Sequence, residues 1–118
     1  VLDIIERDRL ADHARQLGAR LKSELERLAQ TYPRVLKAVR GLGLMLGLEL
    51  ADKADLPAFA GSDRPAAGQL VDRLQAAGLL TVPAGAQVVR LLPPLNLTVA
   101  EAEEALRILA TELARLAG

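Results

Sequence analysis

The chain of 118 residues contains no cysteine, which excludes a disulfide scaffold, a thiol nucleophile and a thiolate metal site. Its only aromatic residues are Tyr32 and Phe59, so a core must be built from aliphatic side chains. Fifteen basic and fifteen acidic residues leave no net charge, which argues against a nucleic-acid partner. No apolar run approaches the roughly 18 residues that cross a membrane, so no membrane partner is expected. The lack of cysteine fits a reducing compartment, and we expect a cytoplasmic location.

Regular apolar spacing is what the chain has instead. Three segments repeat apolar residues at steps of three and four, which is typical of one helix face. The first covers residues 2–31, the second begins at Pro65 and ends at Gly78, and the third begins at Thr98, with Glu101 at the capping-box spacing. The three apolar stripes are Leu10, Ala14, Leu17, Leu21, Leu25 and Leu28; Ala66, Leu70, Leu74 and Ala77; and Ala102, Leu106, Leu109, Leu113 and Leu116.

Short β-rich runs lie between these helices, and residues 51–64 are predicted to form a loop. The predicted strands are residues 35–40, 44–50, 79–82 and 87–92. Residues 44–50 are apolar on both faces at first, which fits a strand covered on both sides or one near a partner. The element order is therefore helix, two strands, helix, two strands, helix. We predict one α+β domain over residues 1–118: a small, mainly antiparallel sheet of three or four strands flanked by three helices.

Arg90 is the most informative single residue, because it interrupts an apolar strand. Alternate residues of a strand share a face, so Arg90 is expected beside Val88 and Leu92. A guanidinium among aliphatic side chains is costly unless an anion meets it, and arginine is well shaped to bind a carboxylate with two hydrogen bonds. The partner is either a structural Asp or Glu or a substrate, and spacing alone favours the structural partner.

No complete active site follows from the other polar residues. His13 is the only histidine, and since no further ligand is spaced for it we expect a solvated surface histidine and no metal site. Lys22, Lys37 and Lys53 are not placed convincingly for a Schiff base. Residues 40–43 carry two glycines and favour a hairpin turn over a phosphate-binding loop. We therefore predict no catalytic residue and no cofactor-binding residue in this chain.

Two motifs together resemble a known family. Residues 39–50 contain Arg-Gly-Leu-Gly-Leu-Met, and residues 88–98 contain Arg-Leu-Leu-Pro-Pro-Leu after an Ala-Gly-Leu-Leu segment at 77–80. As a pair they are similar to the C-terminal small domain of class III, pyridoxal-phosphate-dependent aminotransferases. Within that family the resemblance is greatest to the acetylornithine and ornithine aminotransferase branch, and it covers nearly the whole chain.

The resemblance implies both a function and a missing part. It implies amino transfer from acetylornithine or a related amino acid to 2-oxoglutarate, within arginine biosynthesis, by a cytoplasmic homodimer. The resemblance implies that the arginine matching Arg90 faces the active-site cleft and binds the substrate carboxylate, or an acidic side chain of the large domain when that carboxylate is absent. The family's Schiff-base lysine and its pyridoxal phosphate lie in a large domain that this chain lacks. The resemblance therefore implies that the chain alone binds no cofactor and is inactive, and that its partners are that large domain and the amino-acid substrate.

A self-standing α+β module that binds a ligand or forms oligomers, without catalysis, is the alternative. Arg90 would then be a structural or regulatory anion site. A reading frame that continues upstream of Val1 into a lysine-bearing cofactor domain distinguishes the two. Coordinates that turn Arg90 into bulk water, or bind it to an acid of its own domain, would count against the substrate role.

Overall fold

The computed structural model describes residues 4–42, 45–91 and 97–117, and within them the chain forms four helices and four strands. In chain order these are α1 (Ile4–Thr31), β1 (Leu36–Leu42), β2 (Met45–Leu50), α2 (Pro57–Ala60), α3 (Ala66–Ala76), β3 (Thr81–Pro83), β4 (Val88–Leu91) and α4 (Val99–Ala117). The predicted α+β class and element order are confirmed, with the four-residue α2 as an addition. Parts of three predicted segments lie outside the described residues: 2–3, 43–44 and 92–96.

The four strands form one antiparallel sheet in the order β1-β2-β4-β3. Because side chains alternate along a strand, one face of the sheet carries the buried aliphatic residues. Helix α1 packs on β1 and α3 on β3, while α4 packs against both helices. On β2 the intervening Gly47 and Glu49 are only half-buried, so this strand is covered on one side rather than both. The buried face contains Leu46, Leu48, Leu50, Val89 and Leu91.

The predicted helix stripes form the other side of the core. Leu17, Leu21 and Leu25 of α1 are buried, as are Leu109 and Leu113 of α4. A buried aliphatic side chain contributes about 1.5–3 kcal/mol relative to an exposed one, so these stripes hold the helices on the sheet.

Helix α3 ends one residue before Ala77, which is exposed and takes no part in the stripe. The end is a Schellman motif: the N–H of Gly78 donates to Gln75 O at 3.0 Å, and that of Leu79 donates to Leu74 O at 2.8 Å. The φ angle of Gly78 is 103°, a left-handed conformation that favours glycine. The predicted helix stop at Gly78 is confirmed.

Helix α4 begins with the predicted capping box. The N–H of Glu101 donates to Thr98 Oγ1, and the N–H of Thr98 donates to Glu101 Oε1, both at 3.1 Å. Because the backbone N–H and the hydroxyl of Thr98 both donate to the Glu101 carboxylate and stabilise its ionised form, the pKa of Glu101 lies below its ordinary value of 4.5.

Residues 51–64 are more ordered than the loop predicted for them. A 3₁₀ turn at Lys53–Asp55 leads into α2, with Pro57 at its first position. Leu56 and Phe59 are each 1% exposed, and the side chain of Arg73 lies 5.1 Å from the Phe59 ring centroid. The segment is therefore packed onto the core by two apolar residues three apart, too few to show a helical period in the sequence.

Candidate functional site

Arg90 lies on β4 and is exposed. Its neighbours Val89 and Leu91 point to the buried face, Val88 is half-buried, and Leu92 lies outside the described residues. Arg90 therefore shares a face with Val88 as expected, but that face is not buried, so the expectation of a guanidinium enclosed by aliphatic side chains is wrong. Because residues 88–92 are apolar at every position except 90, the sequence did not reveal which face the core occupies. No desolvation cost therefore calls for a bound carboxylate, and the exposure of Arg90 in this chain counts against the substrate role.

The alternative that Arg90 binds a structural Asp or Glu of this chain finds no support either. Within residues 4–42, 45–91 and 97–117, none of the ion pairs involves Arg90. No hydrogen bond from its side chain to another described residue is formed. The guanidinium is thus available to an anion that the described chain does not supply.

Arg90 belongs to a surface that we call the outer sheet face, opposite the helices. The strand register pairs Arg90 with Gly47 on one side and with Val82 on the other. Gly47 in turn pairs with Arg40 of β1. Two arginines therefore lie on either side of a glycine across three adjacent strands. The surface consists of Ala38, Arg40, Gly47, Glu49, Val82, Val88 and Arg90.

Glu49 is the acidic residue of the outer sheet face. Its Oε2 accepts a hydrogen bond from Arg40 Nη2 at 3.1 Å, and the two side chains are 38% and 77% exposed. Neither residue was singled out as a site residue from the sequence, where Arg40 was assigned to a hairpin turn. The hairpin is confirmed, since Leu42 pairs with Met45. Only the register across β1, β2 and β4 brings Arg40 and Arg90 onto one surface.

The three lysines are not arranged for a Schiff base with a cofactor. Lys22 donates to Gly41 O at 3.2 Å and Lys53 donates to Ser62 O at 2.7 Å, whereas Lys37 is exposed. A Schiff-base lysine attacks through a free amine, whereas Lys22 and Lys53 are each bonded to a backbone carbonyl and Lys37 lies on the surface. The residues present therefore do not fit pyridoxal phosphate, and its absence from this chain stays a prediction.

His13 is half-buried rather than solvated, which corrects the expectation for it. Its Nε2 lies 2.5 Å from Leu97 O and donates to it, so the ring ties α1 to the residues just before α4. The sequence could not show this contact because the two residues are 84 positions apart. Among the described residues, no group of three His, Asp or Glu side chains is placed to hold a metal ion. Likewise, no described helix has the length and apolarity to span a membrane.

An apolar groove of about 580 Å³ lies between α4, α1 and the segment after α3. Leu80 at its edge is 67% exposed. The two acidic residues at its rim, Glu101 and Glu104, bond to Thr98 and Arg107. The groove thus offers apolar surface and no unpaired charge among its described lining residues.

The family model for class-III aminotransferases matches residues 1–113. Acetylornithine aminotransferase from Thermosynechococcus vestitus is 39% identical over 117 residues, covering 99% of this chain and 26% of that protein. Diaminobutyrate–2-oxoglutarate aminotransferase from Rhizobium meliloti is 40% identical over 122 residues, covering 98% and 25%. The chain belongs to the class-III aminotransferase family.

A solved structure agrees with the sequence relatives. The acetylornithine aminotransferase of Elizabethkingia anophelis superposes with a TM-score of 0.80 at 28% identity, over 97% of this chain and 27% of that one. The chain spans about a quarter of the length of the relatives it matches. The resemblance inferred from the Arg-Gly-Leu-Gly-Leu-Met and Arg-Leu-Leu-Pro-Pro-Leu motifs is confirmed.

Proposed function

We propose that this chain is the C-terminal small domain of an aminotransferase that acts on acetylornithine or a related amino acid, with 2-oxoglutarate as the amino acceptor. Arg90 binds a carboxylate of the substrate. The observation that carries this proposal is the family match over residues 1–113, which includes Arg90 in the Arg-Leu-Leu-Pro-Pro-Leu motif. None of the ion pairs among the described residues involves Arg90, so its guanidinium can bind a ligand carboxylate.

The rest of the parent protein supplies what this chain lacks. Pyridoxal phosphate, which the family uses, is held in the large domain together with the Schiff-base lysine. The large domain covers the outer sheet face and encloses Arg90 beside the cofactor. The parent is a cytoplasmic homodimer of arginine biosynthesis. Light scattering of the full-length enzyme tests the dimer, since a monomer mass would contradict it.

Arg90→Ala in the full-length enzyme tests the role of Arg90. A charge-assisted contact contributes about 1.5–3 kcal/mol, so kcat/KM for the amino acid should fall by roughly 10- to 150-fold. Cofactor content, measured from its absorbance, should stay unchanged. Arg27→Ala is the matched control, because Arg27 is a 73% exposed arginine on α1, outside the sheet. Equal losses of turnover and cofactor binding in Arg90→Ala would contradict the assigned role.

The amino-acid substrate is tested by kcat/KM for acetylornithine, ornithine and diaminobutyrate. We expect acetylornithine to be the best of the three. A preference for diaminobutyrate would contradict this expectation and would indicate the substrate named for the Rhizobium meliloti relative.

The 118-residue chain alone is expected to be inactive. After incubation with pyridoxal phosphate and borohydride, we expect no stoichiometric labelling of a single lysine. Specific labelling of Lys22, Lys37 or Lys53 would overturn this expectation and favour a complete site within the chain.

A further inference from the structure

Gly47 lies between Arg40 and Arg90 on the outer sheet face, and because it has no side chain the space between the two arginines is open. Adjacent strands lie about 4.8 Å apart, so the two arginine backbones are separated by about 10 Å. Both side chains start from the outer sheet face, because each residue pairs directly with Gly47. An arginine side chain is long enough to cover half of that separation, so the two guanidinium groups can meet above the glycine.

The backbone does not require glycine at position 47. Gly47 is not among the positive-φ glycines of the described chain, which are Gly41, Gly78 and Gly85. A Cβ added there would meet only Val88 Cγ1, at 3.5 Å, which is an ordinary van der Waals contact. The strand could therefore accept alanine, and what glycine provides is open space between the two arginines.

The ion pair between Arg40 and Glu49 is weak enough for another carboxylate to displace Glu49. Its Glu49 partner is 38% exposed and Arg40 itself is 77% exposed, and exposed ion pairs contribute little stability. Arg40, Glu49 and Arg90 together carry a charge of +1, so one further carboxylate would neutralise the group. A ligand carboxylate can replace Glu49 on Arg40 at small cost.

We propose that Arg40 is a second carboxylate-binding residue, and that one carboxylate of the amino-acid or oxo-acid substrate lies over Gly47 between Arg40 and Arg90. This inference rests on the proposed function, which supplies the class of ligand. Glu49 is then an internal competitor that occupies Arg40 when no ligand is bound. Two arginines approaching from opposite strands fix the position of the carboxylate better than either does alone.

Replacing Arg40 and replacing Glu49 should therefore change KM in opposite directions in the full-length enzyme. Arg40→Gln should raise KM for the amino acid about tenfold, the loss expected for one charge-assisted hydrogen bond, with kcat within twofold. Glu49→Gln should lower KM about two- to fivefold, because it frees Arg40 from a weak exposed pair. Arg40→Gln/Glu49→Gln should match Arg40→Gln alone, since Glu49 acts only through Arg40.

Gly47→Ala gives an independent test, because the added methyl group fits the fold but occupies the ligand space. It should raise KM severalfold with unchanged cofactor content. Gly61→Ala is the matched control, since Gly61 lies at the end of α2, away from the sheet, and an added Cβ there meets nothing within 4 Å.

The outcomes separate this inference from the proposed function. If Arg90→Ala raises KM while Arg40→Gln and Glu49→Gln leave it unchanged, the second binding residue is refuted and the role of Arg90 stands. If Arg40→Gln and Glu49→Gln raise KM equally, the pair is structural and the inference is likewise refuted. If Arg90→Ala has no effect on KM or kcat, the proposed function itself fails.

Discussion

Glu112 of α4 is the carboxylate that the structure buries among the described residues, and its removal gives a sharp test of the packing. It is 5% exposed. Its Oε1 accepts a hydrogen bond from Arg115 Nη1 at 3.0 Å, and its Oε2 lies 4.0 Å from Arg73 Nη1. Since Arg73 also covers the ring of Phe59, Glu112 links α4 to α3 and, through Arg73, to α2.

The expected cost of Glu112→Ala is about 1–2 kcal/mol of unfolding free energy, near the lower end of the roughly 1.5–3 kcal/mol that a hydrogen bond to a charged group contributes. Two effects reduce it. Arg73 and Arg115 are 39% and 66% exposed, so both regain water and neither becomes a stranded buried charge. In addition, alanine removes the desolvation cost of the carboxylate and is the strongest helix former.

Urea unfolding followed by far-ultraviolet circular dichroism measures this change. Glu104→Ala is the matched control: Glu104 lies on the same helix and pairs with Arg107 at the same spacing, but both side chains are more than half exposed. Its unfolding midpoint should stay within experimental error of the parent chain. Glu112→Met should recover most of the loss, because an apolar side chain of similar volume often replaces a buried ion pair without cost. Equal shifts for Glu112→Ala and Glu104→Ala would refute the reasoning.

Two further predictions concern the helix ends. Thr98→Ala should cost about 1 kcal/mol in the same urea assay. Because the pKa of Glu101 is lowered in the folded chain, its contribution is present above pH 4.5 and lost as the pH falls through the folded pKa; thermal unfolding between pH 3 and 6 should show this slope in the parent chain and less of it in Thr98→Ala. Gly78→Ala should cost about 1–2 kcal/mol for left-handed backbone alone, since its added Cβ meets nothing, whereas Gly61→Ala at φ −80° should be near neutral; equal effects would contradict the backbone argument.

The helices and strands could be predicted because each depends on local spacing. The stripes at three and four residues gave α1, α3 and α4, and Gly78 and the Thr98–Glu101 pair gave two of their ends. The sequence did not predict α2, because a helix of four residues is too short to show a helical period. The apolar run around Arg90 carried no alternation that would identify the buried face.

The candidate site was predictable only in part, for a similar reason. Arg90 stood out as a single charge in an apolar strand, but its exposed environment contradicts the burial that first drew attention to it. Arg40 and Glu49 become neighbours of Arg90 only through the register of β1, β2 and β4, which the sequence does not encode locally. Side-chain contacts across 84 positions, such as that of His13 with Leu97, are equally hidden.

The exposure of Arg90 predicts that the isolated chain binds a carboxylate only weakly. In water a guanidinium and a carboxylate 4 Å apart attract by only about 1 kcal/mol, whereas near a protein surface with an effective dielectric constant of 20 the attraction rises to about 4 kcal/mol. Covering the outer sheet face by the proposed large domain would remove that water from Arg40 and Arg90 at once. In the proposed parent protein, this chain would supply the charges and the open space over Gly47, and the large domain would supply the low dielectric in which they bind a carboxylate tightly. In the proposed parent protein, carboxylate affinity would therefore depend on the large domain covering the outer sheet face.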